Sequence, residues 1–399
     1  MADLQKLLNG PWRAVPVLGV TQILAWGALF YPPVLTLPLI AAEQGWSITF
    51  TMAGFSAGLL VGGLVAPTIG RLIDRHGGHV VMTCGSLAGA LGLVILSNVT
   101  HQVSYVATWM LLGAAMAASL YDPAFATLGR IFGAGARRPI TLLTFAGGFA
   151  STFSWPTTLA LIDLAGWRGA YLTFAALLAF VAAPLHAFAL PRERADPGAP
   201  TEGKHPPLPA KLLPASGRAF FFLAIAFAAY SFVTSGFSAH LLAILGRNGL
   251  DAATAVAIGA LFGPSQVSAR FTEFLFAANL HPLNIARLCA AALVAAVVML
   301  LTVGISITSA FVFVVIFGAS NGLISIARGT VPLYLFGAAG YGRTVGRIAR
   351  PALIMQAVAP VTMALVIERA SDDAALALAA LVGCVSLGSF LAVRRPAQD

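Results

Sequence analysis

The chain has few charged residues. Only 9% of its 399 residues are Asp, Glu, Lys or Arg, whereas a soluble domain carries about 25%. Residues of the hydrophobic set make up 59%, and the mean hydropathy is +0.88. Such a chain could not cover itself with a polar surface in water, so its composition excludes an ordinary soluble protein and favours a membrane protein.

The chain also has few groups that could do chemistry. Its three cysteines, Cys84, Cys289 and Cys384, lie in separate apolar runs, which argues against a disulfide framework and a metal cluster. The phosphate-binding pattern Gly-x-x-x-x-Gly-Lys-Ser/Thr is absent, and no Ser/His/Asp set converges at one depth. We therefore expect a protein that is not an enzyme and that holds no metal and no cofactor.

Long apolar runs recur throughout, each close to the ~20 residues that span a bilayer. Backbone groups in hydrocarbon must be satisfied internally, so these runs are predicted to be helices. The predicted fold is an all-α membrane protein with twelve transmembrane helices in two pseudo-twofold-related six-helix bundles, residues 1–190 and 219–399, joined by a cytoplasmic linker, 191–218. The predicted spans are 15–40, 48–69, 80–96, 103–128, 141–162, 170–190, 219–243, 252–269, 285–303, 307–327, 351–367 and 374–393.

The basic residues are distributed unevenly between the predicted loops. With the amino terminus in the cytoplasm, all but three of the 23 Lys and Arg residues fall on the cytoplasmic side. The exceptions are Arg168, Arg247 and Arg369. This is the positive-inside distribution, and it predicts that both termini are cytoplasmic. The net charge of +9 thus reflects topology, and we expect no nucleic-acid partner.

A charged segment at 70–77, Gly-Arg-Leu-Ile-Asp-Arg-His-Gly, lies between two apolar runs and is predicted to be a hairpin. A weaker copy at 269–273, Ala-Arg-Phe-Thr-Glu, closes another apolar run half a chain later. Two similar membrane halves around a central site are the construction of secondary transporters. Transport is therefore the leading hypothesis.

Segment 70–77 resembles the loop signature of the major facilitator superfamily, Gly-x-Leu-Ala-Asp-Arg/Lys-x-Gly-Arg/Lys-Arg/Lys. The likeness covers essentially the whole chain, although Gly78 and His79 stand at the two final basic positions. Two further stretches, Gly45-Trp46-Ser47 and Ala66-Pro67, resemble the monocarboxylate and oxalate/formate exchanger branches. The resemblance implies a bacterial transporter in the cytoplasmic (inner) membrane.

The resemblance also implies a conformational latch at the cytoplasmic ends of the helices. Its predicted residues are Gly70, Arg71, Asp74, Arg75, Gly77, Arg270 and Glu273. The alternative is a plain topogenic turn, in which the glycines provide backbone freedom and the arginines anchor the inner side. Arg270 has a further alternative as an anion site, because exchangers that resemble this chain use an arginine in helix eight.

Asp122 is the one carboxylate placed well inside a predicted span, and an ionised group there costs at least ~2.5–3.5 kcal/mol. Arg328 lies at nearly the same depth in the second half. We predict a gate in which Asp122 and Arg328 pair in one state and separate in the other. The alternative is that Arg328 extends to the inner interface while Asp122 bonds within its own half.

Polar and aromatic residues on the inner helices together predict a mildly polar cavity. For most of the aromatic residues taken singly, ordinary helix packing or an interface belt is the better explanation. Pro32 and Pro33 must interrupt the first helix. The predicted cavity residues are Gln22, Trp26, Tyr31, Tyr121, Tyr230, Ser235, Gln266, Asn321 and Gln356. Tyr31 and Tyr230 occupy equivalent positions in the two halves and could offer matching phenols to one substrate.

The predicted function is secondary transport of a small organic solute, with a monocarboxylate-like anion as the leading substrate, by alternating access. Asp122 and His240 are the titratable groups for a co-transported proton, whereas His186 is predicted to lie at the inner interface. Alternatives are efflux of a toxic amphiphile, drug or metalloid, and a transporter-fold sensor. Proton-coupled efflux is disfavoured because Trp109 replaces the family's helix-four arginine and Gly-x-x-x-Gly-Pro is missing. We expect a monomer surrounded by membrane lipid.

Overall fold

The structure of the protein is a computed structural model that describes residues 10–192, 213–215, 217–277 and 280–394. Most of the predicted linker 191–218 therefore lies outside the described residues. The same is true of five basic residues assigned to the cytoplasmic side, which are Lys6, Arg194, Lys204, Lys211 and Arg395.

The described part of the chain is helical almost throughout. Its α-helices are α1 Ala14–Leu29, α2 Pro33–Gln44, α3 Ile48–His76, α4 Gly78–Ser97, α5 Gln102–Ser119, α6 Tyr121–Phe132, α7 Arg137–Gly147, α8 Ala150–Leu177, α9 Arg218–Arg247, α10 Ala252–Ala260, α11 Phe262–Thr272, α12 Pro282–Val303, α13 Ile307–Phe336, α14 Tyr341–Arg369 and α15 Asp372–Ala392. Short 3₁₀ turns at Gly10–Arg13 and Gly133–Ala136 and π-helical turns at Leu178–Ala182, Leu185–Ala189 and Glu273–Ala277 extend them.

Among the described residues, nine helical stretches are long and apolar enough to cross a bilayer. The stretch Gln102–Ala189 has 88 residues, several times the ~20 that one crossing needs. It is divided at Gly133 (φ 54°, ψ −126°) and at Gly166 (φ 68°, ψ 175°), where the backbone leaves helical geometry, and it is interrupted within segments at Leu120 and after Gly147. With Gly133 and Gly166 as boundaries, and with α1 and α2, and α10 and α11, each counted as one segment, the described helices group into the twelve predicted crossing segments, six in each half of the chain.

The helices form two compact units. The first contains the described part of residues 1–201 together with Gly337–Arg350, and the second contains the described parts of 202–336 and 351–399. In the first unit α3 packs on α5, and α4 packs on α5 and α8. In the second unit α12 packs on α13 and α15, and α11 packs on α13. The first ten residues of α14 therefore pack with helices from the other half of the sequence.

Glycines allow the second and fourth crossing segments of each half to pack closely. A Cβ on Gly58 of α3 would lie 2.5 Å from the carbonyl oxygen of Trp109 on α5. In the second unit, a Cβ on Gly318 of α13 would lie 2.6 Å from the Phe262 oxygen, and one on Gly322 would lie 2.6 Å from the Gln266 oxygen. Small residues at such positions let membrane helices approach backbone to backbone.

Two predicted loop boundaries differ from the structure. Segment 70–77 is not a hairpin, because α3 continues to His76 and the turn is confined to Gly77 (φ 87°). Residues 269–273 do not end a helix either, since α11 and the π-helical turn Glu273–Ala277 carry the helix further. The charged residues in these two segments led to the prediction that a helix ends there. In the structure their side chains lie on helices that continue.

Two of the three basic residues predicted on the outer side form ion pairs. Arg168 Nη2 lies 2.6 Å from Glu43 Oε1, which joins α8 to the end of α2. Arg247 Nη2 lies 2.6 Å from Asp372 Oδ1, which joins α9 to the start of α15. Each half therefore connects its first and last crossing segments with one arginine–carboxylate pair. In the first half the carboxylate is on the first segment and the arginine on the last, and in the second half this order is reversed.

Candidate functional site

The carboxylate of Asp74, in the last turn of α3, lies against the amino end of α14. Its Oδ1 accepts a hydrogen bond from Gly342 N at 2.9 Å, and its Oδ2 accepts one from Arg343 N at 2.7 Å. The first N–H groups of a helix have no partner within the helix and carry partial positive charge, so a carboxylate stabilises them. The structure thus places the Asp74 carboxylate at a helix amino end.

The predicted glycines of this segment have different roles. Gly70 is helical and buried, and a Cβ there would overlap the carbonyl group of Gly342. A Cβ on Gly342 would lie 2.6 Å from Gly70 O and 2.7 Å from Asp74 Oδ1. Only Gly77 needs left-handed backbone freedom. Gly70 and Gly342 therefore provide the close approach that brings Asp74 within hydrogen-bonding distance.

A residue that sequence reasoning missed completes this contact. Arg130, near the end of α6, donates from Nη1 to Ile73 O at 3.4 Å and also to Asp74 O. These are carbonyls of the last turn of α3, where a cation is favourable. Among the described residues Arg71 bonds only to Thr68 Oγ1, at 2.9 Å, and Arg75 is exposed. One feature of the sequence could have indicated this role for Arg130. The two final basic residues of the superfamily signature are replaced here by Gly78 and His79, so a cation at the end of α3 has to come from elsewhere.

Four of the predicted cavity residues lie together in the first unit. Trp26 has its ring centroid 6.0 Å from that of Tyr31 and 5.2 Å from that of Tyr121. The indole N–H of Trp26 donates to Gln22 Oε1 at 3.2 Å, and Gln22 Nε2 donates to Ser119 O at 2.7 Å. Gln22 is completely buried, and both ends of its amide are used inside the bundle.

Asp122 lies in the first turn of α6, immediately after the break at Leu120. Its carboxylate is near enough to the hydroxyl of buried Tyr341 to interact electrostatically. The ring of Tyr341 covers Gly129, where a Cβ would overlap it. Asp122 belongs to the first unit and Arg328, on α13, belongs to the second. Their pairing stays a prediction.

Arg270 is buried within the second unit and is 4% exposed. Its Nε donates to Gly322 O at 3.0 Å, and its Nη2 donates to Gln266 Oε1 at 3.3 Å and to Ser325 Oγ at 3.1 Å. Its Nη1 is buried without a hydrogen-bond partner among the described residues. Glu273, also predicted for the latch, is buried one turn further along. All three acceptors around Arg270 are uncharged.

The remaining predicted cavity residues of the second unit are only partly brought together. Ser235 Oγ donates to Gln356 O at 2.7 Å, and Asn321 is half-buried on α13. Tyr230 is 3% exposed inside the unbroken helix α9, whereas Tyr31 is half-buried at the break between α1 and α2. The two phenols therefore have unlike surroundings, because α9 has no counterpart of Pro32 and Pro33.

The prediction that His186 lies at the inner interface is wrong, because the residue is fully buried. Its Nδ1 lies 3.1 Å from Ser86 Oγ and its Nε2 lies 2.9 Å from Thr21 Oγ1. The Thr21 hydroxyl donates to Leu18 O, so it accepts from Nε2–H and leaves Nδ1 to accept from Ser86. This arrangement satisfies a neutral imidazole, and the π-helical turn Leu185–Ala189 positions it. His240 Nε2 donates to Pro360 O at 2.8 Å.

The long apolar helices described above define a multi-pass membrane protein. The sequence matches the family model of the Major Facilitator Superfamily over residues 18–350. The chain belongs to that superfamily of membrane transporters, which confirms the resemblance to the superfamily and the predicted fold. A search of curated proteins finds no match.

Solved structures share the fold. The crystal structure of the human organic anion transporter MFSD10 (TETRAN) is similar with a TM-score of 0.73 and 14% identity, over 96% of this chain and 100% of that one. The transporter FucP, in its outward conformation, is similar with a TM-score of 0.70 and 12% identity, over 96% and 99%.

Proposed function

We propose that this chain is a secondary transporter that moves a small organic anion across the inner membrane of a bacterium by alternating access. Membership of the Major Facilitator Superfamily supports transport, and the basic residues on one side support a topology with both termini in the cytoplasm. A monocarboxylate-like anion is the proposed substrate class, and the transporter works as a monomer.

The observation that carries the proposal is the environment of Arg270. A guanidinium has five N–H donors and stays charged in proteins. This one lies inside a membrane bundle, its three acceptors are uncharged, and its Nη1 has no partner among the described residues. A buried donor without an acceptor costs about 1–3 kcal/mol, more when charged. A carboxylate would supply the missing acceptor and carry the opposite charge.

Two further points support an anion. Exchangers that this sequence resembles use a helix-eight arginine for the substrate carboxylate, and α10 with α11 form the eighth crossing segment here. One structure of the same fold is named as an organic anion transporter. Arg328, the cation of the predicted gate, is the second candidate, and the experiment compares the two residues directly.

The test uses purified full-length protein in proteoliposomes and measures counterflow of labelled carboxylates, hydrophobic cations and neutral solutes. We expect counterflow of at least one carboxylate. Arg270→Gln should raise its half-saturating concentration by about 10-fold or more, since a hydrogen bond to a charged group contributes about 1.5–3 kcal/mol. Arg369→Gln, at an exposed position, is the matched control.

Each other result has a defined meaning. Counterflow confined to hydrophobic cations contradicts the anion assignment and favours efflux of an amphiphile. Saturable binding without flux indicates a sensor. Unchanged carboxylate affinity in Arg270→Gln, with loss in Arg328→Gln, transfers the role to Arg328. Accumulation driven by a pH gradient that Asp122→Asn abolishes, while counterflow persists, assigns proton coupling to Asp122. Equal accumulation in both proteins assigns the coupling to another group, and no accumulation in the parent assigns exchange or facilitated flux.

A further inference from the structure

Two broken helices meet in the first unit. The first crossing segment is interrupted between Leu29 and Pro33, and the fourth is interrupted at Leu120. Prolines explain both breaks, because Pro32, Pro33 and Pro123 have no N–H to donate to the preceding turn. Interrupted membrane helices are where transporters place their binding sites.

Aromatic rings lie at both breaks. Tyr31 stands within the first break and Tyr121 directly follows the second. Trp26 connects them, and Trp155 of α8 lies 5.9 Å from Tyr31 between ring centroids. We name these four residues the aromatic wall. Its rings are only partly buried, and Trp155 is 42% exposed, which leaves ring surface for another group.

Two backbone carbonyls near the breaks accept hydrogen bonds from side chains of the same unit. Ser119 O would normally accept from residue 123, a proline, and instead accepts from Gln22. Gly27 O, next to the first break, accepts from Ser154 Oγ at 2.8 Å. The indole N–H of Trp26 is also used, by Gln22. These groups therefore need no ligand, and what Trp26 and Trp155 present is the carbon surface of their rings.

The geometry points to a substrate that carries an aromatic ring, packed against Trp26, Tyr31, Tyr121 and Trp155. This inference rests on the proposed function and specifies it, so that the transported anion is an aromatic carboxylate. Aromatic rings prefer edge-to-face or offset neighbours with centroids 4.5–7 Å apart. The wall already holds its own rings at 5.2–6.0 Å. A flat ring can continue that arrangement, whereas a saturated ring of equal size cannot.

Matched pairs of carboxylates test the inference in proteoliposomes. The probes are benzoate, phenylacetate and 3-phenylpropionate, each beside its cyclohexyl counterpart, with acetate and benzyltrimethylammonium added. We expect the best aromatic acid to have a half-saturating concentration about 10-fold below that of its cyclohexyl counterpart, the ratio that one or two ring–ring contacts provide. Trp155→Leu and Tyr121→Leu should abolish the ratio, and Trp155→Phe and Tyr121→Phe should retain most of it. Phe180→Leu, at an 80% exposed ring of the same unit, should leave it unchanged.

The outcomes separate this inference from the proposed function. If aromatic and cyclohexyl acids are transported equally, and the leucine variants affect both alike, the wall is only helix packing and the inference is overturned while anion transport stands. Transport of acetate alone has the same meaning. If no carboxylate is transported and benzyltrimethylammonium is, the rings bind a cation and both proposals fail.

Discussion

Replacing Asp74 by Asn should open the contact between α3 and α14. The carboxylate accepts two backbone N–H groups at 2.9 and 2.7 Å, and the amide keeps the shape but loses the charge and one acceptor. Hydrogen bonds to charged groups contribute about 1.5–3 kcal/mol, and a charge at a helix end adds up to ~2 kcal/mol. Because Asp74 is partly exposed, we take the lower part of this range, about 2 kcal/mol. That energy corresponds to about 30-fold in the equilibrium between docked and undocked α14.

Cysteine labelling can measure this equilibrium. Thr344, in the docked part of α14, is 5% exposed, so Thr344→Cys should react with a thiol reagent only when the segment undocks. In a protein with the native cysteines replaced by serine, Asp74→Asn should speed labelling by about 30-fold. Asp163→Asn removes an exposed carboxylate of the same unit and should leave the rate unchanged.

A control for unfolding is a second protein that lacks Thr344→Cys and keeps native Cys289, which is 2% exposed in the second unit, as its one cysteine. Its labelling rate should be equal in the parent and in Asp74→Asn. Equal labelling of Thr344→Cys in Asp74→Asn and Asp163→Asn would refute the reasoning, because the carboxylate would then contribute nothing to docking. Faster labelling of Cys289 as well would show loss of the fold in place of a local opening.

Three other substitutions have defined outcomes. Gly70→Ala should reduce transport by at least about 10-fold, because its Cβ would overlap the start of α14. Gly388→Ala, with open space around it, should leave transport unchanged. Equal transport by the two variants would show that the close approach of α3 and α14 is dispensable. Gln22→Leu should lower the melting temperature in detergent, since the Ser119 carbonyl and the Trp26 N–H lose their partner at about 1–3 kcal/mol each, and an unchanged temperature would contradict the assigned bonds. Arg130→Gln should weaken docking, measured by the same labelling, and normal labelling would show that Arg130 is only a topological anchor.

The crossing segments could be predicted from the sequence because the physics is simple. A run of apolar residues in lipid must satisfy its own backbone, and a helix does so without help from neighbouring segments. Positions where a charge enters such a run are harder to interpret. Arg270 and Glu273 indicated a loop, yet their helix continues, because acceptors on α11 and α13 bind Nε and Nη2 of the guanidinium. Those acceptors are brought near by tertiary packing, which local sequence does not encode.

The source of the cation at the end of α3 illustrates the same limit. The superfamily signature has basic residues where this chain has Gly78 and His79, and the sequence shows only the loss. In the structure, a Cβ at Gly78 would lie 2.7 Å from the Cβ of Thr127 on α6, so a longer side chain there would collide with that helix. Arg130, less than one turn beyond Thr127, instead reaches the carbonyls at the end of α3. The close packing of Gly78 on α6 therefore excludes a basic side chain at position 78, and Arg130 of the same helix α6 supplies the cation.

Prolines show why the breaks could be predicted only in part. The interruption at Pro32 and Pro33 was expected and is confirmed, whereas the break before Pro123 was missed. Proline alone does not decide the matter, since α3 and α13 continue through Pro67 and Pro332. The fourth segment separates at Leu120 where Gln22 of another helix supplies the N–H that Pro123 lacks. A break in lipid is stable only where such a donor exists, so the position of the aromatic wall depends on a contact between residues about a hundred positions apart.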